Sequence, residues 1–130
     1  MSIAIWSSRF ETGIETIDAQ HMSLFSAING LADSFRAGSS QAQARESLAF
    51  LARYTVEHFR DEERFMREAR YPYLAAHCSD HADLASRLRD FQDKEASGKV
   101  VTMDMAIFLL DWLKQHICDA DMRFVAYLKE

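Results

Sequence analysis

Five histidines, His21, His58, His77, His81 and His116, are the residues of this chain best equipped for chemistry. Glu62 follows His58 by four residues, His81 follows His77 by four, and Asp121 follows His116 by five. Residues four apart share a helix face, so HxxxE and HxxxH can each aim two donors at one point. Each motif alone is common in helices. In order, however, they place one histidine-bearing piece on each of four helical segments, and every histidine falls in the apolar register of its segment. Burying five unpartnered imidazoles would cost about 1–3 kcal/mol each, whereas a metal site accepts them all. Imidazole and carboxylate together suit iron better than a thiolate-loving or an all-oxygen metal. Seven donors exceed what a single zinc takes, and HExxH is absent. The HxxxxD pair is out of register, because i and i+5 lie about 140° apart on a regular α-helix. Either Asp121 reaches round or the last helix is locally widened. A π-type turn is the expectation, as such turns cluster at functional sites.

Positioning these donors requires four long helices. One proline and four glycines in 130 residues leave few breakers, which favours helices over strands and turns. The predicted helices cover about 18–36, 41–67, 72–96 and 103–129, after a non-helical arm, 1–17, pinned by Trp6, Phe10 and Ile14. The first stripe is His21, Leu24, Phe25, Ile28, Leu31, Ala32 and Phe35. The second is Leu48, Leu51, Thr55, His58, Glu62 and Phe65, and the third is Leu74, His77, His81, Leu84, Leu88 and Phe91. The fourth is Leu109, Trp112, Leu113, His116, Ile117, Ala120, Phe124 and Leu128. Asp18, Ser40 and Thr102 are the expected N-caps, Pro72 opens the third helix, and Gly38 and Gly98 follow helix ends. Short connections make this an all-α, antiparallel up-down-up-down four-helix bundle in one domain.

The formal net charge of −5 gives no footprint for nucleic acid. No run of about 18 apolar residues is present, so the chain is not expected to be membrane-embedded. Met1 to Phe10 lacks a basic stretch followed by an apolar one, and a cytoplasmic location is expected. Cys78 and Cys118 are read as small buried hydrophobes, with a redox role left open. The run from Arg60 to Arg64 is read as mostly a solvated face, with only Glu62 in register. Met22, Met66, Met103, Met105 and Met122 are read as core filler or surface rather than a copper site.

The ordered set H…HxxxE…HxxxH…HxxxxD resembles the hemerythrin family, its single-domain bacterial members in particular. The resemblance spans nearly the whole chain. It includes the aromatic arm, the Ile17-Asp18-x-Gln20-His21 stretch and the Tyr71-Pro72 start of the third helix. It implies two iron ions (Fe2+/Fe3+) joined by an oxo or hydroxo bridge. One iron takes His77, His81 and His116, the other takes His21 and His58, and Glu62 and Asp121 bridge them. Counting six positions per iron leaves one open, on the iron with two histidines, where dioxygen would bind. Leu24, Phe59, Trp112, Leu113 and Ile117 resemble the positions that form the apolar oxygen pocket. The implied function is reversible dioxygen binding by a monomer that is not an enzyme. It would serve oxygen carriage, storage or delivery to an oxygen-consuming oxidase or oxygenase. The alternatives are an oxygen or redox sensor and a di-iron protein that removes peroxide or nitric oxide. A ferritin-like oxidase is disfavoured because Glu-x-x-His occurs nowhere.

Overall fold

The computed structural model describes residues 2–35, 41–98 and 103–130. Among them are α1 (Glu15–Asp33), α2 (Gln41–Glu68), α3 (Leu74–Ala96), α4 (Met103–His116) and α5 (Met122–Leu128), and no strand. A π-helical turn, Ile117–Asp121, joins α4 to α5, so the three form one continuous fourth helix. The widened turn expected from the HxxxxD spacing is therefore present. Its i→i+5 bonding brings Asp121 back over His116, and both side chains are buried. α2 packs between α1 and α3, α1 also packs on α4, and the Phe91–Phe108 ring pair ties α3 to α4. The result is an all-α four-helix bundle. No helix of the described residues is long and apolar enough to cross a membrane.

Helix boundaries differ from the periodicity reading where side chains or turns intervene. α1 starts three residues before Asp18. That carboxylate does not cap at Ncap but turns back from the first turn. It accepts from the Thr12 amide and hydroxyl (2.8 Å each) and from the Gly13 amide (3.2 Å). Gly13 has φ +84°, a conformation that other residues adopt at a cost. The arm is correspondingly shorter than predicted and includes a 3-10 turn, Ser8–Phe10. α1 stops at Asp33, short of Arg36, and the Ser34 hydroxyl donates to the Leu31 carbonyl. Gly38, Ser40 and Thr102 lie outside the described residues.

α3 starts at Leu74 rather than Pro72. Arg70 takes φ +57°, and the Tyr71 amide donates to the Met66 carbonyl at 2.9 Å, so α2 closes in a Schellman-like turn. The Tyr127 hydroxyl donates to the carbonyls of Ala69 and Arg70 and locks that turn to α5. In α2 the buried residue of the last turn is Met66 and not Phe65, and Leu128 near the C-terminus is exposed.

The arm docks along α1. The Ala4 amide donates to Asn29 Oδ1 at 2.8 Å, and Asn29 Nδ2 donates to the Ala4 carbonyl at 2.9 Å. Trp6, Phe10 and Phe25 form a triangle of rings with centroids 5.2–5.6 Å apart. Ile14 instead meets a separate cluster of Met66, Tyr71 and Phe124. Phe10 is only 2% exposed. Phe10→Ala is therefore expected to cost about 3–5 kcal/mol of stability, read as a lowered urea midpoint with unchanged slope.

Candidate metal centre

All five histidines, Glu62 and Asp121 converge in the bundle interior, and all seven are buried. α1 supplies His21, α2 supplies His58 and Glu62, and α3 supplies His77 and His81. The fourth helix supplies His116 from α4 and Asp121 from the π turn. Their donor atoms form two groups, Glu62 with His77, His81, His116 and Asp121, and Glu62 with His21 and His58. Within each group the atoms lie within 4.8 Å of one another.

Each carboxylate divides its two oxygens between the groups. Glu62 Oε1 lies 2.7, 3.0 and 3.7 Å from Nε2 of His77, His81 and His116. Glu62 Oε2 lies 3.3 and 3.6 Å from Nε2 of His58 and His21. Asp121 Oδ1 lies 3.0 and 3.2 Å from His77 and His116, while Oδ2 lies 3.2 Å from His21. Both carboxylates therefore sit between a three-histidine side and a two-histidine side.

The outer ring nitrogens show which way the imidazoles face. His58 Nδ1 donates to Gln20 Oε1 at 2.7 Å, and Gln20 Nε2 donates onward to Asp61 Oδ2 at 2.8 Å. His81 Nδ1 donates to Glu63 Oε2 at 2.7 Å. With Nδ1 carrying the proton, each Nε2 offers its lone pair inward. Phe59 stacks on His81 with ring centroids 3.7 Å apart, and Trp112 stacks on His116 at 4.6 Å.

The donors fit a metal centre better than they satisfy one another. His21 Nδ1 and Nε2, His58 Nε2, Glu62 Oε2 and both oxygens of Asp121 are buried with no hydrogen-bond partner. Such orphans are costly unless something accepts them. Five imidazoles with two carboxylates form a mixed nitrogen and oxygen set suited to iron.

Without metal, protons take up part of this charge. Burial disfavours a charge on His21, yet contact with Asp121 and Glu62 outweighs it and raises its pKa to about 9. The same balance against Asp121 and Glu62 raises His116 to about 10, and raises His77 as well. Burial lowers His58, aided by the charge of His21, despite its contact with Glu62. Glu62 and Asp121 are held below the ordinary carboxylate range: burial opposes their ionisation, and the surrounding histidines overcome it. In the metal-free chain His21 and His116 stay protonated at neutral pH. Their contribution to stability is full below the unfolded value of 6.5 and is lost as pH rises through about 9 and 10. Metal uptake at pH 7 is thus expected to release protons, and apparent affinity to fall from pH 8 to pH 6. Titration calorimetry in buffers of different ionisation enthalpy checks this, a buffer-independent heat being the contrary result.

Of the five pocket residues predicted, three line one apolar cavity of about 10 Å³: Leu24, Phe59 and Leu113. That is room for about one water-sized molecule. Trp112 is not in its wall and lines a separate open cleft with Asp80, His116 and Asp119. Ile117 is fully buried in the main core and likewise does not line the cavity. The remaining wall is Ile28, Leu51, Thr55, Leu84, Leu88 and Leu109, which sequence reasoning did not assign to a pocket. It also missed Gln20, Asp61 and Glu63. The reading of Arg60 to Arg64 as a solvated face needs correction at two positions, since Asp61 holds Gln20 and Glu63 holds His81. The one signal for Gln20 was its place beside His21. No single-helix spacing could show Glu63 reaching α3.

The Hemerythrin HHE cation binding domain matches residues 12–128. The chain is 32% identical over 123 residues to the bacteriohemerythrin of Methylococcus capsulatus, covering 93% of each chain. It is 28% identical over 129 residues to that of Stenotrophomonas maltophilia, covering 99% of this chain and 84% of the relative. A crystal structure of wild-type hemerythrin superposes with a TM-score of 0.90 at 31% identity, covering 95% of this chain and 96% of the other. The domain match contains all seven converging side chains, and the chain belongs to the hemerythrin family.

Proposed function

We propose that this chain binds dioxygen reversibly at a non-haem di-iron centre and serves oxygen carriage, storage or delivery rather than catalysis. The observation that carries the proposal is the division of carboxylate oxygens. Glu62 and Asp121 each present one oxygen to the three-histidine side and one to the two-histidine side. In this reading His77, His81 and His116 would hold one iron and His21 and His58 the other, with Glu62 and Asp121 shared between them. Two such irons, when bound, would supply reversible one-electron changes and a site for dioxygen.

The chain's own residues supply the rest. Gln20 and Glu63 fix the rings of His58 and His81, so those two nitrogens do not reorganise when the ligand arrives. Leu24, Phe59 and Leu113 line an apolar cavity, and Phe59 also stacks on the ring of His81. Among the described residues Thr55 is the only polar side chain in that cavity wall, and these residues offer no acid of suitable strength to drive bond cleavage. That favours binding and release over turnover. Cys78 and Cys118 are unpaired, in keeping with a reducing compartment such as the cytoplasm. A monomer, delivering oxygen to an oxidase or oxygenase, is part of the same proposal.

The test is iron content together with visible spectra of the reduced protein under argon, in air, and under argon again. Two irons per chain, with a coloured band that comes with air and leaves under argon, are expected. A band that only decays to the oxidised form would favour sensing or peroxide chemistry. A chain that cannot be loaded with iron would overturn the metal assignment.

A further inference from the structure

The two sides of the centre are backed by different outer partners. His81 Nδ1 donates to a carboxylate, Glu63, and His58 Nδ1 donates to a neutral amide, Gln20, both at 2.7 Å. The bonds match in length and differ in the charge of the acceptor. Gln20 cannot present its nitrogen instead, because Nε2 is committed to Asp61 Oδ2 at 2.8 Å. Asp61 is half-exposed, so its charge reaches His58 only through the amide and is screened by solvent. His21 Nδ1 is buried with no hydrogen-bond partner at all. A full negative charge therefore backs the three-histidine side. The two-histidine side has one amide and one bare ring.

We infer that Glu63 and Gln20 are positioning residues that make the two metal positions electronically unequal, with Glu63 tuning the three-histidine position towards the ferric ion. The inference rests on the di-iron reading above. A carboxylate accepting from an imidazole N–H draws the proton towards itself and raises electron density on the inner nitrogen. A stronger donor favours the more highly charged ion. An amide does this less and a bare ring not at all, which leaves the two-histidine position the more electrophilic of the two. The same chain thus builds one electron-rich position and one poised to take an external ligand, using residues that touch neither metal position.

Two variants separate charge from mere position. Glu63→Gln keeps an acceptor oxygen and removes the charge. Gln20→Glu combined with Asp61→Asn exchanges carboxylate and amide on the other side without setting two carboxylates together. The metal-free chains are titrated with Co2+, and the iron-loaded chains are titrated redox-potentiometrically. Glu63→Gln is expected to weaken cobalt binding about 10- to 100-fold. It is also expected to raise the midpoint potential, a tenfold loss of ferric preference being about 59 mV. The Gln20/Asp61 exchange is expected to lower the potential, and it carries the test if Glu63→Gln fails to fold. Wild-type potential and affinity in both variants, with two metals still bound, overturns this inference and leaves the di-iron reading standing. A wild-type chain that binds neither cobalt nor iron overturns both.

Discussion

Glu62→Ala is expected to take the chain from two metals to one or none, with apparent affinity lowered by more than about 100-fold. Loss of an outer-sphere partner alone costs about 10- to 100-fold, and Glu62 is closer in than that. Its two oxygens lie within 3.7 Å of the inner nitrogens of all five histidines, which no other side chain among the described residues does. Asp121 is paired with His21, His77 and His116, so it cannot substitute at His58 on one side or at His81 on the other. The metal-free variant suffers as well. His21 and His116 would lose one of the two anions that keep them charged. Removing one partner of such a buried ionic set costs up to about 3–5 kcal/mol. Metal analysis and a urea curve measure the two effects separately. Glu57→Ala, one turn earlier and exposed, is the control. Full loading of Glu62→Ala would show that the shared carboxylate is not what holds the centre together.

Leu113→Asp is expected to hasten autoxidation on the order of 100-fold, the scale of effect that a positioned proton donor brings. Leu113 is 3% exposed and faces the same narrow space as Leu24 and Phe59, one turn from His116. A carboxyl group placed there meets mostly apolar walls and no cation among the described lining residues, so burial keeps it protonated. It would bring a carboxylic acid to a wall whose described side chains are apolar except for Thr55. The variant also loses stability, because a polar group is buried without a hydrogen bond. Leu113→Met keeps the volume and costs less than about 1.5 kcal/mol, so it separates wall chemistry from packing. The decay of the oxygen-dependent band, followed in air, gives the rate. A rate equal to that of Leu113→Met would mean that the apolar wall does not protect the centre.

The amino-acid sequence alone determined the donor types, their order along the chain and the helix that carries each. It did so because α-helical periodicity is local: four-residue spacing puts His58 with Glu62 and His77 with His81 whatever the rest of the chain does. The mismatch at His116 and Asp121 was equally local: it called for either a reaching Asp121 or a widened turn, and the π turn is what the structure has. Helix ends were legible only roughly. Asp18 and Pro72 carry the right chemistry for a helix start, but Asp18 folds back on Thr12 and Gly13, and the left-handed Arg70 moves the α3 start to Leu74. What tertiary structure decided was everything that depends on the rotation and axial offset of one helix against another. Spacing within α2 cannot say that Glu62 turns one oxygen to each side, or that Glu63, pointing out of the apolar register, reaches His81 on α3. The same offset put Leu24, Phe59 and Leu113 around one cavity and left Trp112 stacked on His116 in the wall of a separate cleft, although all four lie within a turn of a histidine.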